Sequence, residues 1–191
     1  MKKVLVVVAH PDDETIWTGG TLLQNKDEWD LTIISLCRRD DKDRAPKFRK
    51  VCKEYNAKCF ISDLEDEKLG YIATGEVIKR VKKFAGKDYD MIYTHGKNGE
   101  YGHPRHVLVH KAMSKMFRKK ILRAKEIFFF DYKKQKEIAV ANKNADKFIK
   151  LKENYLDKKK DLIQNIYGFK KNSFEYLCCR DEEAFKIETI K

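Results

Sequence analysis

Short apolar runs separated by polar segments recur along the first two thirds of the chain. Five of these runs are rich in β-branched or aromatic residues, which is typical of strands covered on both faces of a parallel sheet. Segments with apolar residues at helical spacing lie between them. The pattern predicts strands at 4–9, 31–36, 58–62, 89–94 and 126–130, and helices at 15–24, 44–55, 75–84 and 107–117. This alternation predicts an α/β fold with a mainly parallel sheet and right-handed crossovers.

The pattern weakens after residue 131. Residues 144–160 are strongly charged but have helical spacing, and residues 174–178 (FEYLC) alternate in a way that predicts an edge strand. The sequence contains no proline-rich or Gly/Ser-rich linker that would mark a domain boundary. We therefore predict a single domain over 1–191, with a core at 1–131 and a basic helical and edge-strand part at 132–191.

Polar residues of types that take part in catalysis or ligand binding follow the ends of four predicted strands. His10–Asp13 follow the first strand, Arg38 the second, Asp63 the third and His95 the fourth. In open α/β sheets, ligands bind in the crevice beyond the carboxyl ends of the strands. Residues that are distant in sequence are therefore expected to meet on one rim of the sheet.

Composition narrows the classes of protein that fit. Apolar residues make up 42% of the chain and charged residues 38%, and the formal net charge is +12. Residues 111–191 carry 22 Lys and Arg against 12 Asp and Glu. Because these lysines are interspersed with acidic residues rather than with exposed aromatics, we do not expect nucleic-acid binding. The sequence has no apolar stretch of about 18 residues, which predicts the absence of a membrane span. Its five cysteines include no C-x-x-C pair, as expected for a cytoplasmic protein with reduced thiols.

All five histidines fall in two short segments. One is AHPDDE (9–14), and the other is THGKNGEYGHPRHVLVH (94–110). Imidazole and carboxylate together are ligands for Zn²⁺, and a catalytic zinc site takes three protein ligands. Asp12 and Asp13 leave a helix start about 100° apart. One of them can therefore bind a metal while the other faces the attacking water.

The two segments together resemble the paired motifs of the PIG-L/LmbE-like family of metal-dependent N-deacetylases. The segment EEAFKI near the C-terminus is similar to the family's closing segment. The resemblance implies a Rossmann-like three-layer fold and a substrate of the N-acetylglucosamine type. It also implies that His10, Asp13 and His106 bind Zn²⁺, with Fe²⁺ and other divalent ions left open.

The same resemblance implies roles for four further residues. Asp12 matches the general base that activates the attacking water, and His103 matches the histidine that stabilises the tetrahedral intermediate. Tyr101 matches a tyrosine that helps to polarise the substrate carbonyl, and Arg38 matches an arginine that contacts the sugar. The implied reaction hydrolyses an acetamide and releases acetate and an amine.

Other polar residues near the two motifs are assigned less directly. Asp63 is a candidate acceptor for a sugar hydroxyl, although Asp66 lies close by and competes for that position. His95 and His110 are expected to pack or to support the ligands. His110 lies four residues after His106 on the same helical face, so it stays open as a competing ligand.

The motif also departs from the family pattern at one position. The family often has an acidic or amide residue where this chain has Arg105. An additional cation near the rim predicts a preference for an anionic group attached to the sugar.

Two alternative functions stay open. A non-catalytic Rossmann-like module could hold a nucleotide or polyanion on its basic surface, although the chain lacks G-x-G-x-x-G after its first strand. An amidase of the same family could act on a non-acetyl amide, and the acid released would distinguish it. The expected partner is a small amino-sugar substrate, and the sequence does not predict an oligomeric state.

Overall fold

The computed structural model describes residues 1–189, whose strands form one large sheet and one hairpin. The strands are β1 (Lys2–Val8), β2 (Trp29–Cys37), β3 (Lys58–Leu64), β4 (Met91–Thr94), β5 (Glu126–Phe130), β6 (Tyr132–Gln135), β7 (Ile138–Ala141), β8 (Lys147–Lys150) and β9 (Glu182–Thr189). Within these residues the large sheet has seven strands in the order β3-β2-β1-β4-β5-β9-β8, and β6 pairs with β7. The first five strands of that order are parallel, whereas β9 and β8 run antiparallel to their neighbours.

Helices cover both faces of this sheet. They are α1 (Asp13–Asn25), α2 (Arg44–Glu54), α3 (Thr74–Phe84), α4 (Gly99–Gly102), α5 (Pro104–Arg118), α6 (Glu153–Asp161) and α7 (Phe174–Cys178), and a π-helical turn at Leu162–Ile166 continues α6. Helices α1 and α2 pack on one face, and α3 and α5 on the other. Among residues 1–189, no helix combines the length and the apolar composition needed to cross a membrane.

Strand β1 lies inside the sheet, between β2 and β4, and contributes to both cores. Val4, Val6 and Val8 face the core under α1 and α2, while Leu5 and Val7 face the core under α3 and α5. All five side chains are fully buried. This double burial explains why the strand is a continuous apolar run rather than an alternating one. The predicted α/β fold with a mainly parallel sheet is confirmed.

The connections place a crevice next to β1. The chain passes from β1 to β2 and β3 on one side of the sheet and then returns to β4 on the other side of β1. Ligands of open α/β sheets bind where the strand order reverses in this way. The first histidine motif follows β1 and the second follows β4, so both motifs lie at the reversal point.

Two predictions in the C-terminal part were wrong. Residues 174–178, predicted as an edge strand, form helix α7, whose N-terminus is capped by Ser173 accepting the Tyr176 N–H. The alternation of Phe, Tyr and Cys in this segment imitates a strand, but the N-cap and the shortness of the segment favour a helical turn. Residues 144–160, predicted as one helix, divide into β8 and α6. The free edge of β9 takes β8 as its hydrogen-bonding partner, which the local charge pattern does not encode.

The C-terminal part is fastened to α1 by a buried carboxylate. Glu183 on β9 accepts hydrogen bonds from the backbone N–H groups of Gly20 and Thr21, at 2.8 Å each. It also accepts the Thr21 hydroxyl at 2.6 Å and the Lys159 ammonium at 2.7 Å. Lys159 and Glu183 are both fully buried. We refer to these four residues as the Glu183 anchor.

Candidate active site

The loops that leave β1, β2 and β4 each contain a residue in left-handed backbone conformation. The φ angles are 115° at Asp12, 71° at Arg38 and 59° at Glu100. This conformation costs a non-glycine residue about 1–3 kcal/mol, and it persists where surrounding contacts enforce it. Such residues concentrate at functional sites, and here all three lie around the crevice at the strand-order reversal.

Three atoms of the predicted metal ligands meet at this crevice. His10 Nδ1 lies 3.1 Å from Asp13 Oδ2 and 3.2 Å from His106 Nε2, and the latter two atoms are 3.3 Å apart. We call this arrangement the ligand triangle. Ligands at about 2.0–2.1 Å from a tetrahedral zinc ion would be roughly 3.3 Å from one another. The triangle therefore has the dimensions of one face of such a coordination shell.

Carboxylates behind the two histidines orient their rings. Asp66 Oδ1 lies 2.9 Å from His10 Nε2, and Glu100 Oε2 lies 2.6 Å from His106 Nδ1. In the neutral ring with its proton on the side of the carboxylate, the lone pair of the opposite nitrogen faces the triangle. A carboxylate in this position is the usual support for a metal-binding histidine.

Hydrogen bonds also fix the orientation of the Asp13 carboxylate. The indole N–H of Trp17 donates to its Oδ1 at 3.0 Å, and the backbone N–H of His10 donates to its Oδ2 at 2.8 Å. Burial alone would raise the pKa of Asp13, but the neighbouring His106 and His95 lower it well below its usual range. The carboxylate is therefore ionised and fixed, and the residues of the triangle fit a divalent cation.

Asp12 stands beside the triangle without belonging to it. Its carboxylate is paired with Arg44 at 2.5 Å. Burial, followed by the charge of Asp13, raises the pKa of Asp12 above its ordinary range, while Arg44 opposes that shift. A carboxylate with a raised pKa is a better proton acceptor, which suits general-base catalysis.

His103 and Tyr101 lie on the other side of the cavity. Nδ1 of His103 accepts the backbone N–H of Arg105 at 3.2 Å, so the ring proton lies on Nε2. Burial, followed by the proximity of His106 and His10, lowers the pKa of His103 to about 4. The ring is therefore a neutral hydrogen-bond donor near pH 7. The Tyr101 ring packs against Phe174 of α7, with centroids 4.7 Å apart.

The cavity above the triangle has a volume of about 380 Å³. It is lined by the HPDD segment, Ile16, Trp17, Arg38, Asp41, Arg44, Asp66, Tyr101, His103 and, from the C-terminal part, Phe174 and Glu175. Arg38 lies in the wall and donates to Asp66 at 2.8 Å. The structure therefore brings seven of the eight predicted site residues together.

Asp63 is the predicted residue that lies apart. Its carboxylate pairs with Arg39 at 2.9 Å and with Arg80 at 3.2 Å, outside the residues that line this cavity. Asp66, which competed with Asp63 for the predicted role of sugar-hydroxyl acceptor, is the aspartate that lies in the cavity wall beside Arg38. The two aspartates are only three residues apart, so the conformation of the loop after β3 decides between them.

The remaining histidines support the site from behind. The Ala9 N–H donates to His95 Nε2 at 2.9 Å, so the His95 proton lies on Nδ1, where Glu100 accepts it at 2.9 Å. His95 stacks on His106 with centroids 3.9 Å apart. His110 donates from Nδ1 to the His95 backbone carbonyl at 3.0 Å.

Sequence reasoning did not assign Glu100, although the residue lies within the quoted GEYGHPRH motif. Glu100 is fully buried and accepts hydrogen bonds from two histidines and from the Gly96 N–H. The sequence feature that could have identified Glu100 is its position between His95 and His103 in a glycine-rich turn. Tyr167, which donates to Glu14 at 2.7 Å, had no such signal because it lies in the distant C-terminal part.

Part of this chain is similar in sequence to a known viral protein. An uncharacterized protein of Acanthamoeba polyphaga mimivirus is 27% identical over 127 residues, which cover 57% of this chain and 55% of that protein. This chain therefore matches little more than half the length of that relative.

Solved structures share the fold at low sequence identity. The N,N'-diacetylchitobiose deacetylase of Pyrococcus horikoshii superposes with a TM-score of 0.69 at 15% identity, covering 98% of this chain and 84% of that one. The 4-carboxy-2-hydroxymuconate hydratase GalB of Pseudomonas putida superposes with a TM-score of 0.64 at 15% identity, covering 94% and 83%. The same fold thus carries more than one chemistry.

A family model settles the relationship where these structures show only the fold. Residues 5–117, more than half of the chain, match the PIG-L model, which is described as GlcNAc-PI de-N-acetylase. The match contains both histidine motifs and every residue of the ligand triangle. The chain therefore belongs to the PIG-L family of de-N-acetylases.

Proposed function

We propose that the protein is a metal-dependent hydrolase that removes the acetyl group from an N-acetylglucosamine-type sugar or conjugate. The observation that carries this proposal is the ligand triangle, with the Asp12 carboxylate beside it in the wall of the same cavity. Family membership supports the reaction, and the donor set of two imidazoles and one carboxylate supports zinc or another divalent ion.

Each residue has a role that follows from its position. A bound divalent ion would supply Lewis acidity, which acidifies a water molecule and polarises the amide carbonyl. Asp12 accepts the proton of the attacking water, and that proton is then available to the leaving amine. His103, neutral with its proton on Nε2, and the Tyr101 hydroxyl donate to the developing oxyanion.

The cavity supports a small sugar as substrate. Its 380 Å³ suits one sugar ring with an acetamido group, with Arg38 and Asp66 in the wall as partners for hydroxyl groups.

The free state of all five cysteines supports the predicted cytoplasmic location.

The test combines metal content with acetate release from a panel of N-acetylglucosamine compounds, for wild type, His106→Ala and Lys111→Ala. The last variant changes an exposed residue of the same helix and serves as the control. We expect roughly one divalent ion per chain and acetate release in wild type and control, and the loss of both in His106→Ala. No metal and no acetate in the wild type, even after Zn²⁺ is added, would refute the proposal.

The acid released in this assay and a separate polyanion-binding assay distinguish the alternative functions. Release of another acid would indicate an amidase that acts on a non-acetyl amide. A polyanion-binding module is disfavoured at this crevice, because Asp12, Asp13 and Asp66 would repel phosphate groups there. Salt-sensitive polyanion binding without metal-dependent turnover would favour that reading nonetheless.

A further inference from the structure

We infer that Arg105 is a positioning residue that holds the metal site in shape through the loop that carries Asp66. This inference rests on the proposed function, because it concerns the geometry of the proposed metal ligands. It also replaces the expectation that Arg105 binds an anionic part of the substrate. We call residues 65–73, between β3 and α3, the β3–α3 loop.

The Arg105 side chain leaves α5 and ends on this loop. Nε donates to the Glu65 carbonyl at 2.7 Å, Nη1 to the Gly70 carbonyl at 2.9 Å and Nη2 to the Glu65 carboxylate at 2.6 Å. The residue is only 2% exposed and does not belong to the cavity lining. With Nε and both Nη atoms bonded to the loop in a buried position outside the cavity lining, the guanidinium is not presented to a substrate in that cavity.

Apart from Arg105 and the Asp66 contacts, the β3–α3 loop is held by Ile72, which packs against the core, and by the Lys68 N–H, which donates to the Glu65 carboxylate. It contains no helix or strand, and its side chains at Leu69 and Tyr71 are 43% and 95% exposed. Leu69 also has a φ of 48°, which costs a non-glycine residue free energy. Arg105 bridges two carbonyls five residues apart, so it closes the turn between them. A loop whose middle residues are exposed in this way is expected to open locally when such a bridge is removed.

Asp66 transmits the position of the loop to the ligand triangle. It follows Glu65 directly, and its two oxygens hold His10 Nε2 at 2.9 Å and Arg38 Nη2 at 2.8 Å. When Asp66 accepts the Nε2 proton, the Nδ1 lone pair of His10 faces the triangle. If the loop moved, His10 would lose this support and could present the wrong tautomer or ring orientation to a metal.

Only an arginine can make this connection. Its planar fork donates in fixed directions to three acceptors, whereas a lysine offers one ammonium that cannot span both carbonyls and the carboxylate. The acidic or amide residue that the family often has at this position cannot donate to them all. Arg105 therefore explains how this chain secures Asp66 with a residue that departs from the family pattern.

The experiment measures Zn²⁺ affinity by chelator competition for wild type, Arg105→Gln, Asp66→Asn and the double variant. Loss of a group that supports a metal ligand lowers affinity by about 10- to 100-fold. We expect Asp66→Asn to fall in this range, Arg105→Gln to lower affinity by about tenfold, and the double variant to bind no more weakly than Asp66→Asn alone. Arg105→Lys is expected to recover only part of the loss. Arg118→Gln, at the other end of α5 and paired with surface Glu188, is the matched control and is expected to bind like wild type.

Two outcomes would overturn the inference. Unchanged affinity in Arg105→Gln would show that the loop does not need the bridge. Additive losses in the double variant would show that Arg105 acts by a route other than Asp66.

A second measurement separates this inference from the proposed function. If the wild type bound no zinc, the proposed function would fail, while hydrogen exchange of the metal-free protein would still test the bridge. Amides of residues 65–70 are expected to exchange faster in Arg105→Gln than in wild type or Arg118→Gln. Equal exchange in all three proteins would refute the bridge itself.

Discussion

Two clusters of buried charged groups contact helix α1, and they differ in how those groups are paired. At the Glu183 anchor, four donors surround one carboxylate, and one of these donors, the Lys159 ammonium, also neutralises its charge. At the ligand triangle, two imidazole nitrogens and a carboxylate oxygen converge within 3.3 Å, with their supporting hydrogen bonds directed away from one another. Acceptors that converge in this way repel each other unless a proton or a cation lies between them.

The comparison separates a buried polar cluster that serves the fold from one that the proposed function assigns to a divalent ion. The Glu183 anchor ties the last strand to the helix that carries Asp13, so it serves the fold. The ligand triangle is built at the strand-order reversal, where nearby backbone is left-handed, and under the proposed function a divalent ion would bind there. The following predictions test this contrast, from the largest expected effect to the smallest.

Removing the ammonium from the Glu183 anchor is expected to cost the most. In Lys159→Met a fully buried carboxylate loses its counter-charge, and such a loss typically lowers the free energy of unfolding by about 3–5 kcal/mol. Urea denaturation measures the change. Lys158→Met is the control, because Lys158 pairs with Glu54 at the surface, where ion pairs contribute about 0–1 kcal/mol. Similar losses in the two variants would show that the anchor is an ordinary surface pair.

Asp12→Asn is expected to remove catalysis and keep the metal. Loss of a general base slows the chemical step by roughly 100-fold or more, which corresponds to about 2.7 kcal/mol in the barrier. Acetate release and metal content are measured on the same preparation. If Asp12→Asn lost the metal while Asp13→Asn retained it, the roles of the two aspartates would be reversed.

Adding metal is expected to stabilise the protein through the triangle alone. Free Zn²⁺ at 30 times its dissociation constant should raise the free energy of unfolding by about 2 kcal/mol. Thermal denaturation with and without the ion measures this effect, and His106→Ala should lack it. An equal gain in the variant would mean that the ion binds elsewhere.

The smallest effect is expected at Asp63, which the sequence analysis proposed as a contact to a sugar hydroxyl. Its pairs with Arg39 and Arg80 lie at the surface, and its side chain is 40% exposed. We expect Asp63→Asn to change kcat/KM by less than about twofold, because exposed pairs contribute little. Asp66→Asn is the matched comparison and should change it more. A large loss of kcat/KM in Asp63→Asn would restore the original assignment.

The fold was predictable for strands that are buried on both faces, because that burial determines the pattern of apolar residues. Strand β5 has the predicted bounds of 126–130, and the predicted β1 differs by only a few residues, because double burial imposes continuous apolar runs. The C-terminal part was harder to predict, since β8 and α7 depend on the free edge of β9 and on packing around Tyr101. Contacts of this kind join residues far apart in sequence and leave no local periodicity.

The sequence by itself determined the five parallel strands, the two motifs and the residue types of the ligand triangle, because periodicity and side-chain chemistry are local properties. Only the tertiary structure decided which aspartate after β3 reaches the site, that Glu100 and Asp66 orient the ligands, and that Arg105 faces a loop rather than the cavity. The physical reason is that hydrogen bonds at a site depend on distances of a few tenths of an ångström between separate loops. Those distances are fixed by the packing of the whole sheet and its helices.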